Sequence, residues 1–437
     1  MEFLASDALR GRGSGTPDEL VAATYVASQL RQYGIVPAGD NGTYIQRGVI
    51  LQQKLATPPQ LRFAVPGGGG QPIIWTYGVQ MLTVQLSRRK FQGPLRRIDT
   101  ENSGHAQASF KGAVVVIFGS DDNKIQSAVG AAMEGGCAAV LAPASARRLK
   151  HWDERARELP VLAPTIEGGE TAALVGEGNM FAIRPEAIAD LSGVPDGTIV
   201  EFDATLAPPE TSYTWNAVGM LPGRDPALRK SPILLTAHLD HLGIGNAVEG
   251  DNIYNGADDD ASGTTAVLEL ARALGSGPRP RRTVIFALFG SEETGGLGST
   301  WFEAHPPVAL KTIAANLEFE MIGRPDPKYM RDKLWLTGWD RSNLGPMLAA
   351  HGARLVPDRR PEEQFFTRSD NYVLAKKGVV AQTVSSFGLH ADYHRPSDDL
   401  AHIDFRHMTI AIGSLIGPLD WLANSDFRPA WKPGQQP

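Results

Sequence analysis

Between Trp215 and Ser385 the chain repeatedly sets a short, almost wholly apolar run before a stop at polar, reactive residues. The runs are WNAVGML, PILLTAHLD, RTVIFALFG and AANLEFEMIG, with a helical pattern from Ser262 to Leu274 and further strand-like stretches at Leu334 to Thr337 and Val379 to Val384. Apolar runs without alternation belong to strands covered on both faces, which demands helices on either side of one sheet. The expected fold class is therefore α/β, as an α/β/α sandwich with a mixed, mostly parallel sheet.

Other segments divide the chain. Residues Pro17 to Tyr33 carry apolar positions at helical spacing and stop at Gly34, a common helix terminus. From about Ala56 to Pro209 the texture changes to short β-like runs, PGGGG at 66–70, GAVVVIF at 112–118, a small-residue helix around Ile125 to Gly136 and CAAVLA at 137–142. This reads as a smaller β-rich domain at 57–209 inserted into a larger one made of 1–56 and 210–437, and 437 residues suffice for both.

Charge and hydropathy narrow the partners. With 42 Lys and Arg against 48 Asp and Glu, the net charge is −6, and no sustained basic run supplies the positive field that nucleic acid or anionic membrane needs. No apolar run reaches the ~18 residues of a bilayer span, and the opening MEFLASDALRGRGSGT lacks the apolar core of a secretory signal, so neither is expected. The lone Cys137, in AAMEGGCAAV, is expected as a small buried thiol.

The chemistry gathers at strand ends. His238 follows ILLTA, at the carboxyl edge where α/β sheets place ligands, and Asp240, two residues on, can accept the second imidazole N–H. Asp258, Asp259 and Asp260 directly precede a helix; the helix dipole accounts for one or two acids, whereas three adjacent charges repel unless a cation lies among them. Glu292 and Glu293 follow RTVIFALFG with their side chains in opposite directions, which suits one metal ligand and one base or, equally, two surface acids in a turn. Glu318 and Glu320 share one face of a buried strand, a costly placement unless paired or metal-bound. His390, Tyr393 and His394 lie in a polar loop. Histidines and carboxylates from several strand ends, without a cysteine pair, suit zinc and a water-activating hydrolase.

The segments TAHLD (236–240), NGADDDASG (255–263), GSEETGGLGS (290–299), NLEFEMIG (316–323), RSDNY (368–372) and YHRPSD (393–398) occur in the order of the co-catalytic zinc aminopeptidase family, which the chain resembles over nearly its whole length. That family includes aminopeptidase Y, bacterial leucyl aminopeptidases, glutamate carboxypeptidase II and glutaminyl cyclase. The opening FLASDALRGRGSGTPDELVAATYVASQLRQYGIVPAG resembles the family's first helix and its lead-in, and the inserted stretch resembles a protease-associated domain.

The resemblance implies two zinc ions. His238, Glu293, Glu320 and His394 would be terminal ligands, Asp259 the bridge, Glu292 the general base, Asp240 the residue orienting His238, and Tyr393 a donor to the carbonyl oxyanion. Glu320 stands where the family more often has Asp. The resemblance also implies a cis peptide between Asp259 and Asp260, peptide substrates, and a secreted or periplasmic setting. Release of N-terminal amino acids is the expected activity, because carboxylates around the metals suit a free amine. Carboxypeptidase or dipeptidase action, glutaminyl cyclisation by one zinc, and a receptor-like module that has lost its ligands are the alternatives.

Overall fold

A computed structural model describes residues 1–64, 71–101, 109–168, 172, 174 and 178–437. The glycine run at 66–70 lies outside the described residues. The chain forms two compact units, one of Met1–Ile50, Ile166–Leu174 and Ser212–Pro437, the other of Leu51–Thr165 and Val175–Thr211. Relative to the borders read from sequence, the second unit begins at Leu51 rather than 57, and Ile166–Leu174 belongs to the first. Within the first unit, Glu167 N–H donates to Val49 O and Leu174 N–H donates to Gly295 O.

Four parallel strands form the centre of the first unit, in the order Ala381–Ser385, Ala315–Phe319, Ile233–His238 and Val284–Phe289, and every residue in them is buried. Leu334–Leu336 pairs antiparallel on one side and Glu210–Leu221 antiparallel on the other, so the sheet is mixed. Ile233, Leu235, Val284, Phe286 and Leu288 share one core with Val26, Leu270 and Leu415 of helices Pro17–Gln32, Gly263–Ser276 and Phe405–Asn424. Leu234, Ile285, Ala287 and Phe289 meet Phe302 and Leu374 of helices Leu297–Ala304 and Asn371–Lys376. Alternate side chains thus enter opposite cores, which is why the strands read as unbroken apolar runs.

The second unit has an eight-stranded sheet whose middle runs Ile199–Asp203, Lys90–Asp99, Val114–Phe118 and Ala139–Pro143, with helix Asp122–Glu134 beside it. Its core holds Cys137, whose thiol burial pushes up to about 11. Among the described residues no helix is long and apolar enough to cross a membrane.

Candidate metal centre

Because the four central strands run parallel, their carboxyl ends lie on one edge and deliver His238, the Gly290–Glu293 turn and Glu320 together. The Ala257–Ser262 turn, ahead of helix Gly263–Ser276, adds Asp259, and the peptide between Asp259 and Asp260 is cis. His238 Nε2 lies 3.0 Å from Asp259 Oδ1. His394 Nε2 sits between Asp259 Oδ2 at 3.3 Å and Glu293 Oε2 at 3.2 Å. Asp259 therefore faces both histidines, one from each oxygen.

Glu292, Glu293, Asp259, Glu320 and Tyr393 all line one cavity. Among the described residues, ligand-capable atoms of His238, Glu292 and Glu293 form one close group and those of His241, Asp259 and Glu293 a second; Glu320 joins them as cavity wall, outside both groups. The Tyr393 ring stacks on the His394 ring, centroids 3.8 Å apart.

The three consecutive aspartates divide their work. Asp258 accepts from Gly323 N–H at 2.7 Å and from His390 Nε2 at 3.0 Å, and Asp260 accepts from Met321 N–H at 3.0 Å and Gly263 N–H at 2.9 Å. Both brace the turn that follows Glu320, and Asp259 alone enters the cavity. Asp398 in turn accepts the N–H groups of Asp258 and Asp259, both at 3.0 Å.

Asp240 lies beside His238 and also binds the glutamate turn. Its Oδ1 is 3.6 Å from His238 Nδ1, too long for a hydrogen bond, while it accepts Glu292 N–H at 3.0 Å, Glu293 N–H at 3.3 Å and the Ser14 hydroxyl at 2.6 Å. It holds the glutamate turn more firmly than the imidazole. Glu19 grips the same turn: its carboxylate accepts Ser291 N–H at 3.1 Å and the Ser291 hydroxyl at 2.8 Å. Burial and Asp240 push Glu19 up to about 8, against its hydrogen-bond donors.

Ser291 (φ 52°), Met321 (φ 51°) and His394 (φ 57°) adopt left-handed backbone. These conformations are uncommon for side-chain-bearing residues and are held by surrounding structure. They fall immediately before Glu292, immediately after Glu320 and on His394 itself, where a sharp turn aims each side chain inward.

Electrostatics describe a site built for cations. Burial would raise Asp259, yet His238, 3.0 Å away, and His394, 3.3 Å away, hold it well below the usual carboxylate range. Burial and Asp259 oppose the ionisation of Glu293, but His241 and His394 pull it down to about 2. Against its own desolvation, His394 is lifted to about 10 by Asp259 and Glu293, and His238 is raised by Asp240 and Asp259. Burial, with Glu293, Asp370 and Glu320 close by, raises Glu292 well above an ordinary glutamate. Among the described residues, buried His238 Nδ1, His394 Nε2 and Asp260 Oδ2 have no hydrogen-bond partner. Imidazole nitrogens facing carboxylate oxygens in a buried cavity form a donor set that fits zinc.

Besides Glu19, two further supporting residues escaped the sequence reading. His241, one position past Asp240, is fully buried with Nδ1 2.7 Å from Glu293 Oε1. Arg12 is fully buried and donates to the carbonyls of Leu239, Leu4, Asn255 and Gly256 at 2.9, 2.6, 2.6 and 3.0 Å. The only available signal was the clustering of polar residues in HLDH and RGRGSG, which loops share.

Residues 216–415 match peptidase family M28. The chain is similar to the leupeptin-inactivating enzyme 1 of Streptomyces exfoliatus, 35% identical over 26% of this chain and 24% of that protein. It is also similar to the probable lipoprotein aminopeptidase LpqL of Mycobacterium tuberculosis, 39% identical over 29% of this chain and 22% of that protein. The matches thus span about a quarter of the length of those relatives. An aminopeptidase structure from Aneurinibacillus sp. strain AM-1 aligns with 100% of this chain and 93% of its own, at 18% identity and a TM-score of 0.52, a likeness of fold.

Proposed function

With residues 216–415 assigned to peptidase family M28, we propose that the chain is a zinc-dependent aminopeptidase that removes N-terminal residues from peptides. The observation that carries this reading is the convergence of His238 and His394 on Asp259 and Glu293, which line one cavity together with Glu292. Aminopeptidases among the relatives and the like-folded structures support it. Two ions would be held by His238, Asp259, Glu293 and His394, with Glu320 on the cavity wall as a further ligand. When bound, such ions polarise a carbonyl and acidify water.

The chain's own groups then have separate tasks. Glu292, desolvated on the cavity wall, takes a proton from the attacking water and hands it to the leaving amine. Tyr393, its hydroxyl kept protonated by burial and the surrounding carboxylates, is the candidate donor to the carbonyl oxygen. Met321, Trp335, Phe365 and Phe387 form an apolar cluster at the far side of the cavity, suited to an apolar substrate side chain.

Charge favours the amino end. Glu292, Glu320 and Asp259 offer a carboxylate partner to a cationic amine, whereas among the described lining residues the basic group is Arg368, which lies over the Phe365 ring and 3.7 Å from Glu363. N-acetylation of a good substrate is therefore expected to lower kcat/KM at least about a hundredfold, roughly 2.7 kcal/mol, the scale of a lost charge-assisted contact. Equal cleavage of blocked and free peptides, or products shortened from the C-terminus, would move the protein to the carboxypeptidase or endopeptidase side.

A further inference from the structure

We propose that His241 is a positioning residue for one of the two ions, holding Glu293 by one oxygen so that the other stays beside His394. The inference rests on the two-ion reading above and extends it to a residue outside the proposed ligand set.

Three features fix the ring. The backbone is tied on both sides, since His241 N–H donates to Arg12 O at 3.1 Å and Ser14 N–H donates to His241 O at 3.2 Å. Gly256, at φ +58°, leaves no room for a side chain: a Cβ there would come within 2.5 Å of His241 Cγ, so the imidazole is packed directly on glycine backbone. The ring also meets His394 edge-on, with centroids 5.7 Å apart. Its Nδ1 is thereby aimed at Glu293 Oε1, 2.7 Å away, and lies 3.9 Å from Asp259 Oδ2.

The division of the Glu293 oxygens follows. A carboxylate oxygen 2.7 Å away can only accept, so Nδ1 carries the proton and donates it to Oε1. Oε2 is left 3.2 Å from His394 Nε2, on the side where Asp259 Oδ2 also lies. A ligating carboxylate fixed in this way by an outer hydrogen bond pays less to be ordered when the ion arrives, and loss of such a partner typically costs about 10–100-fold in metal affinity.

The test is zinc titration of the metal-stripped full chain, by calorimetry and by competition with a chromophoric chelator. Wild type is expected to take up two ions. His241→Ala should weaken one of them about 10–100-fold and leave the other unchanged. His241→Asn, whose amide nitrogen reaches the position of Nδ1, should recover most of the loss, a rescue that a purely space-filling role would not give. The inference is overturned if His241→Ala binds both ions as tightly as wild type, or if the Asn variant is as weak as the Ala variant. It is also overturned if both variants lose the ion entirely, since His241 would then itself be a ligand. A wild-type chain that binds fewer than two ions removes the two-ion reading and this inference with it.

Discussion

Glu292→Gln is expected to keep both ions and to lower kcat by about 10²–10⁴, while Glu293→Ala loses an ion as well as activity. The separation comes from the turn itself. Ser291 at φ 52° and the Asp240 carboxylate, which accepts both glutamate N–H groups, set consecutive side chains in different directions. Glu293 points at His241 and His394, where its charge is already spent on imidazoles. Burial and Glu293 make ionisation of Glu292 unfavourable, which gives it affinity for a proton in transit. Glutamine keeps the shape and removes the base. Metal analysis of the two purified variants checks the assignment, and equal metal loss in both would reverse it.

Arg12→Met is expected to cost about 3–5 kcal/mol of stability and to lower the melting temperature by more than about 5 °C. The guanidinium is fully buried and bonds four carbonyls, of which Leu239 lies between His238 and Asp240, and Asn255 and Gly256 lead into Asp258–Asp260. Without it those carbonyls stay buried with one partner fewer, at about 1–3 kcal/mol for each left unsatisfied. The positive charge also offsets Asp240, Asp259, Asp260 and Asp398. Lysine cannot replace a planar fork that serves several acceptors, so Arg12→Lys should recover little. Thermal denaturation of the full chain measures the effect; a variant as stable as wild type would contradict the bracing role.

The parts of the site legible in the sequence are those whose signals are local. The buried strands announced themselves through unbroken apolar runs, and each ended where His238, Glu292 and Glu320 stand. The helix read over Pro17 to Tyr33 is found at Pro17–Gln32 because its spacing and Gly34 speak for themselves. The helix read from Ser262 starts at Gly263, after a turn whose irregular backbone no periodicity encodes. Arg12 was illegible because three of the four carbonyls it serves are more than 200 positions away. Strand alternation and the family resemblance both set Asp240 beside His238, and only the folded turn shows its hold on the backbone of Glu292 and Glu293. His241 was hidden by its neighbours, since adjacency to a strand end does not say which way the next imidazole turns.

Metal content measured alongside activity tests the central claim most directly. The account predicts about two zinc ions per chain in the active protein, loss of activity on dialysis against a chelator, and its return with added zinc. Full activity in protein shown to be free of metal would contradict it.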